Sequence, residues 1–202
     1  MAMSRLPSAR LLAAVLPAIV LGGCVSFGAK PPPQLLSLRA AQAVAPDATV
    51  SNQGGPTVTV MAPDAPRKLE TMRVPVQISD TSVAYVKDAQ WTDTPRQLFQ
   101  KLLSETIAAD GKTMVLQPGQ YWASPGRRLM GALIDFGVDA SAHQAIVTYD
   151  ATLTDAEGAR ILRKRFSATA PVGKITAESV GGPINPAANQ VAAGVAAWVK
   201  GN

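Results

Sequence analysis

The feature that most constrains the fold is a strict alternation of apolar and polar residues in several short segments. In residues 147–153, for example, every second residue is apolar and the residues between are threonine or aspartate. Because successive side chains of a strand point to opposite faces, such segments are typical of antiparallel strands with one face in water. The pattern predicts strands at residues 34–38, 57–61, 74–78, 82–86, 114–116, 129–139, 145–153 and 161–168.

Two segments have helical periodicity instead. The first spans residues 94–109, with Thr94 as the N-cap and Gln97 completing a predicted capping box. The second is predicted over residues 186–200, with a proline in its first position and Asn185 as its N-cap. Strands, a helix, more strands and a second helix predict an α+β fold, an antiparallel sheet with two helices packed on one face.

The N-terminus carries the features of a bacterial export signal. Arg5 and Arg10 precede an apolar run over residues 11–21, and small residues follow before Cys24. This run is shorter than the roughly 20 apolar residues that span a bilayer, and its order of charge, apolar run and small residues is that of a secretory signal peptide. Leu21-Gly22-Gly23-Cys24 resembles the bacterial lipobox.

The lipobox predicts three parts of the chain. Residues 1–23 are expected to be removed as a lipoprotein signal peptide, leaving Cys24 with a diacylglyceryl group and an N-acyl chain such as palmitate. Residues 24–33 form an acylated N-terminus and a proline-rich tether, and residues 34–202 form the α+β domain. Because no aspartate follows Cys24, we expect sorting to the periplasmic face of the outer membrane.

An ordinary secretory signal, cut elsewhere, is the alternative to lipidation. It would leave Cys24, the only cysteine of the chain, as a free thiol in an exported protein. Acylation removes that reactive group, which favours the lipoprotein interpretation.

The sequence contains few of the residues that an enzyme needs. His143 is the only histidine, in a polar segment between two strands, and the serines lie in no nucleophile-elbow motif. Asp135 and Asp139 share the outer face of a strand, where a catalytic pair and simple solubilising charges are the two interpretations. We therefore predict no enzyme activity, no metal and no cofactor beyond the lipid on Cys24.

Basic residues cluster on and before the strand predicted at residues 161–168. The cluster consists of Arg160, Arg163, Lys164 and Arg165, with Arg127 and Arg128 before a neighbouring strand. One interpretation is contact with anionic headgroups or an acidic partner. The other is protection of a sheet edge, since charges there discourage edge-to-edge pairing.

The aromatic residues Trp91 and Trp122 stand in loop-like positions near the first helix and the following strand. They can pack over the ends of the sheet, or contact a partner or headgroups. The net charge of +5 is mild for 202 residues, and no basic run is interleaved with aromatics, so nucleic acid is not an expected partner.

The segments 74–78 and 83–91, ending in Trp91, followed by a helix that begins at Thr94, resemble the ABC-type transport auxiliary lipoproteins of MCE-type systems. The lipidated cysteine and the final helix are also similar, although residues 34–38 lack the family's usual tyrosine. The resemblance implies a non-enzymatic accessory protein. Its partners would be an MCE-domain protein and, indirectly, an inner-membrane ABC permease and ATPase, in transport of lipids or hydrophobic compounds.

Two other functions remain alternatives. One is a structural or assembly lipoprotein of the cell envelope, such as a TolB-like interaction module. The other is a hydrolase dependent on His143. The sequence is also compatible with a homo-oligomer.

Overall fold

The helices and strands follow one another in the order that the sequence predicts. The computed structural model describes residues 34–51, 54–55, 57–123 and 126–202, without the side chains of 121–123, so Cys24 and the predicted signal and tether lie outside it. The strands are β1 (Thr57–Val60), β2 (Arg73–Ser79), β3 (Ser82–Gln90), β4 (Met114–Leu116), β5 (Arg127–Asp139), β6 (Gln144–Thr154) and β7 (Ile161–Pro171). The helices are α1 (Pro95–Ala108) and α2 (Gly181–Lys200).

The seven strands form one mixed sheet built on β5. One edge of β5 pairs with β6, which pairs with β7, and both pairs are antiparallel. Its other edge pairs in parallel with β1 and β2, while β1 and β4 are also parallel. The α+β class is confirmed, but the expected antiparallel sheet is wrong on the β1, β2 and β4 side. The chain between β1 and β4 includes α1, and such a crossover returns it in its original direction.

A β-bulge in β5 changes which of its side chains face the core. The pairing with β6 shifts between Leu133 and Asp135, so Ile134 is an extra residue in the ladder. Leu133 and Phe136 are both buried and Ile134 is half-buried. The sequence alternation places Ile134 and Phe136 on the same face of the strand. Because of the extra residue, Leu133 takes the place of Ile134 on the core face with Phe136.

Both helices cover the same face of the sheet, as predicted. The ring of Phe99 in α1 lies 5.2 Å from that of Tyr149 in β6 and 6.4 Å from that of Phe136 in β5, both near edge-to-face. Trp198 of α2 packs against Phe166 of β7, with ring centroids 5.8 Å apart. Edge-to-face aromatic contacts add to the apolar burial that holds α1 on the sheet.

Helix α2 begins five residues before the predicted start, and Pro186 lies inside it. The predicted N-cap at Asn185 is therefore wrong. Proline lacks the N–H that a helix-interior residue donates, but Val180 and Ile184 are fully buried on both sides of this first turn. Tertiary burial of these side chains extends the helix beyond the proline that marked its start in the sequence.

The N-cap of α1 also differs from the prediction. Thr94 precedes the helix in extended conformation, but its side chain makes no capping hydrogen bond. The N–H of Thr94 instead donates to the carboxylate of Asp93, at 2.6 Å. The capping box with Gln97 does not form, while Asp110–Gly111 ends the helix as expected, with Gly111 at a φ of 68°.

The segment of residues 36–41, here called the N-terminal strap, lies along α2. The predicted strand at 34–38 is reduced to a bridge between Leu36 and Trp91. Beyond it, the N–H of Arg39 donates to Oδ1 of Asn185 at 2.9 Å, and that of Ala41 donates to Oδ1 of Asn189 at 2.7 Å. Asparagine side chains on the helix thus supply the hydrogen bonds that a neighbouring strand would supply.

Candidate functional site

Strand β7 has one edge that no described strand covers. Its register with β6 is continuous over all eleven residue pairs, from Gln144 with Pro171 to Thr154 with Ile161. The other two edge strands of the described sheet are less regular. Strand β3 has register shifts and a positive φ at Asp88, and β4 has only three residues. Strand β7 is therefore the longest regular edge in the part of the chain that the structure describes.

The hydrogen bonds that flank the β6–β7 pair show which backbone groups face this free edge. At one end of the pair the N–H of Asp155 donates to the carbonyl of Arg160. At the other end the N–H of Val172 donates to the carbonyl of His143. Bonded positions alternate along an antiparallel ladder, so even-numbered residues of β7 bond to β6. The odd-numbered residues from 161 to 171 direct their backbone groups outward. Pro171, which has no N–H to donate, occupies one of these outward positions.

The basic residues of β7 extend over both faces of the strand. Arg163 and Arg165 lie on the outer face, opposite Thr152 and Asp150 of β6. Lys164 lies on the helix-covered face, with its ammonium group 5.2 Å from the centre of the Phe166 ring. All three side chains are exposed. The predicted cluster thus forms a continuous positive stretch along the edge.

Arg165 is held by an acidic neighbour. Its Nε and Nη2 donate to the two carboxylate oxygens of Asp150, at 2.5 and 2.6 Å. This bidentate hydrogen bond, opposed in part by desolvation, lowers the pKa of Asp150, and the charge of Arg163 adds to the effect. Among the described residues, Arg163 has no salt-bridge partner of its own within 4.0 Å, so of the two guanidinium groups on β7 it is the one that no carboxylate holds.

The other basic residues of the predicted cluster have structural roles. The guanidinium of Arg127 donates to the carbonyl of Val199 at 2.7 Å, near the C-terminal end of α2, where a cation is favourable. Arg160 is exposed in the turn before β7, where its backbone N–H donates to Asp155 at 2.9 Å and its guanidinium donates to the carbonyl of Asn202 at 3.4 Å. Arg128 lies beside the turn at Gly158. On strand β7 itself, the exposed basic stretch consists of residues 163–165.

A shallow groove of about 680 Å³ adjoins this stretch on the outer face of the sheet. Met61 and Met130 contribute apolar surface, and Asp64, Arg163 and Arg165 contribute charges. The sequence analysis missed this groove, because Asp64 comes beside β5 only through two backbone hydrogen bonds, to Gly131 and Leu133. No periodicity in residues 61–64 signals that contact.

Of the two alternatives for Trp91, contact with a partner or headgroups is wrong. Its side chain is fully buried, and its ring lies 5.3 Å from that of Phe136. The bridge from Leu36 to Trp91 closes that end of the sheet, so the packing alternative holds for this tryptophan. The side chain of Trp122 lies outside the described residues.

The acidic residues considered for catalysis already have ion-pair or hydrogen-bond partners. Asp135 forms an ion pair with Lys68 at 3.0 Å. Asp139 accepts hydrogen bonds from the turn at Ser141, which lowers its pKa. His143 is exposed in that turn at a φ of 50°. Within the described ranges, no group of three or more histidine, cysteine or acidic residues is arranged to hold a metal ion.

The fold and its surface define an α+β domain whose most distinctive feature is a basic strand edge beside a shallow groove. No helix in the described part of the chain is both long and apolar enough to cross a bilayer. A family model described as "ABC-type transport auxiliary lipoprotein component" matches residues 35–196. The chain therefore belongs to this family, which confirms the resemblance seen in the sequence.

Solved structures share the fold. A crystal structure of a Xanthomonas campestris protein of the family DUF330 matches with a TM-score of 0.66 and 16% identity, over 82% of this chain and 93% of the other. A crystal structure described as an uncharacterized protein matches with a TM-score of 0.64 and 14% identity, over 82% and 99%. At these identities the likeness shows the fold alone. None of the curated proteins matches the chain.

Proposed function

We propose that the protein is an outer-membrane-anchored periplasmic lipoprotein that docks an MCE-type ABC transport system for lipids or hydrophobic compounds. The observation that carries the proposal is the family match, because it spans nearly the whole described domain, from residue 35 to residue 196. An auxiliary component needs an anchor and a binding surface. The lipobox at Cys24 and the basic edge of β7 meet these two requirements.

The N-terminal strap supports a close link between the membrane and the domain. Only eleven residues separate Cys24 from Leu36, which forms a bridge with Trp91. At about 3.5 Å for each extended residue, this length places the domain within roughly 40 Å of the lipid headgroups. The domain would therefore meet a partner close to the membrane surface.

Affinity purification of the acylated full-length protein after mild crosslinking in cells tests the proposed partners. We expect recovery of an MCE-domain protein, together with its ABC permease and ATPase. Cys24→Ser, which removes the acylation site, should lose membrane attachment and most of this recovery. Isolation of only cell-wall or barrel-assembly proteins would refute the transport assignment and favour the assembly alternative.

The membrane that holds the anchor can be tested separately. Val25 follows the lipidated cysteine, and Val25→Asp should move the protein from the outer-membrane to the inner-membrane fraction of a sucrose gradient. Val25→Asn is the matched control, because it keeps the size of the side chain without its charge. An inner-membrane position of the unaltered protein would contradict the proposed location.

A further inference from the structure

We propose that the free edge of β7 binds an extended acidic segment of a partner protein, which adds to the sheet as an eighth strand. The proposal concerns the contact surface and the chemistry of the partner, and it does not depend on which transport system the protein serves. It rests on the regularity of the edge, on the direction of its backbone groups and on its charge.

The backbone of β7 is suited to an added strand. Residues 161, 163, 165, 167 and 169 each direct an N–H and a C=O away from β6 over an unbroken register. Native proteins usually blunt such an edge with a bulge, a proline, a short strand or charged side chains. Of these devices β7 has the charged side chains of residues 163–165, and its only proline is Pro171, at the last residue. The five outward positions from 161 to 169 therefore keep the backbone groups for pairing with a strand of opposite charge.

The charge of the edge selects the occupant. Arg163 extends from the outer face and Lys164 from the opposite face, so a strand beside them meets a positive charge on each side, while Arg165 is already paired with Asp150. Opposite charges on neighbouring strands attract and like charges repel. An added segment with carboxylates next to residues 163–165 is favoured, and a basic segment is rejected.

Apolar surface on the outer face, next to the basic residues, adds a second requirement for the partner segment. Ile161 is 62% exposed at the start of β7, and the groove that Met61 and Met130 line lies beside Arg163. An apolar side chain next to Ile161 would be partly removed from water. The matching sequence is therefore a strand with one apolar end and acidic residues at its centre, which is the chemistry expected of the partner.

Amide exchange measured by NMR on the acylated full-length protein in detergent micelles tests the backbone contact. The probe is a ten-residue peptide of alternating glutamate and valine, and its control has lysine in place of glutamate. The acidic peptide should slow exchange at residues 163, 165, 167 and 169, whose N–H groups face outward, and leave their even-numbered neighbours unchanged. Uniform protection, or equal binding of the lysine peptide, would overturn the proposal.

Thr169→Pro separates strand pairing from simple charge attraction. It removes one outward N–H, changes no charge and breaks no hydrogen bond to β6, and Thr169→Val is its matched control. Loss of one or two edge bonds should weaken peptide binding about tenfold. Arg163→Glu should also weaken it about tenfold, and Arg163→Lys should have little effect. Unchanged binding to either Thr169→Pro or Arg163→Glu would contradict an added acidic strand.

Two other occupants give different results. If lipid headgroups cover the edge, nanodiscs of phosphatidylglycerol, but not phosphatidylcholine, should perturb Arg163 equally in the parent protein and in Thr169→Pro. If a second copy of the chain covers it, dimerisation in analytical ultracentrifugation should disappear in Thr169→Pro. Either result would refute the proposed partner if the acidic peptide also fails to slow amide exchange at the odd-numbered residues of β7.

Discussion

Replacement of Asn189 by alanine should release the N-terminal strap without unfolding the domain. Nδ2 of Asn189 donates to the carbonyl of Arg39 at 2.9 Å, and Oδ1 accepts from the N–H of Ala41 at 2.7 Å. At about 0.5–1.5 kcal/mol for each net hydrogen bond, their loss weakens the strap by about 1–3 kcal/mol. The helix itself should gain about 0.5 kcal/mol, because alanine is the better helix former.

Hydrogen exchange at the amide of Arg39 measures the release. This N–H donates to Asn185, which the substitution leaves in place, so its protection falls only if the whole strap opens. We expect protection to fall roughly 5- to 150-fold, the equivalent of about 1–3 kcal/mol. Asn185→Ala removes the acceptor of the Arg39 amide, so its effect is measured at Ala41, where protection should fall by about half as much in free energy. Exposed Gln190→Ala should have no effect.

The result that refutes this reasoning is specific. If Asn189→Ala leaves the protection of Arg39 unchanged while only Ala41 exchanges faster, the two hydrogen bonds act independently. The strap would then not be a cooperative unit.

Three further predictions concern the core and the outer face. Gly131→Ala should destabilise the domain by about 3 kcal/mol or more in urea unfolding, because the new Cβ would lie 2.0 Å from the carbonyl oxygen of Asp150. The control Gly119→Ala should be nearly neutral, because a Cβ at that position would lie in open space. Phe99→Ala should cost about 3–5 kcal/mol in the same assay, since its ring is fully buried between two others, and a cost below about 1 kcal/mol would contradict this packing. Arg165 lowers the pKa of Asp150 in the folded protein, so the pair stabilises the folded state at pH values above the ordinary pKa of 3.8. This stabilisation is lost as the pH falls through the lowered pKa. An NMR titration should show that the pKa of Asp150 rises in Arg165→Gln.

Helix α1 and the β6–β7 hairpin show how much of the fold could be predicted. Their apolar periods of 3.6 and 2 are long enough to identify each element without any partner. The exposed positions of Arg163 and Arg165 followed from the same alternation, whereas Lys164 is exposed although it lies on the helix-covered face. Their place at a free edge did not, because no local pattern states which strand comes last in a sheet.

The errors have long-range causes. Trp91 follows a strand in what reads as a loop, and it is buried because Leu36 and Phe136 come to lie against it. Pro186 marks a helix start in the local pattern, yet burial of Ile184 continues the helix before it. In each case a contact with a residue distant in sequence outweighs the local preference.

The sequence by itself determined the α+β class, the sites of most elements, the lipobox at Cys24 and the basic residues of β7. These properties depend on side-chain period and on short motifs, which are local. The tertiary structure alone decided the parallel pairing of β1 and β2 with β5, the bulge at Ile134 and the choice of β7 as the free edge. These depend on which strands meet, and the energy of that choice lies in burial and backbone hydrogen bonds between distant segments.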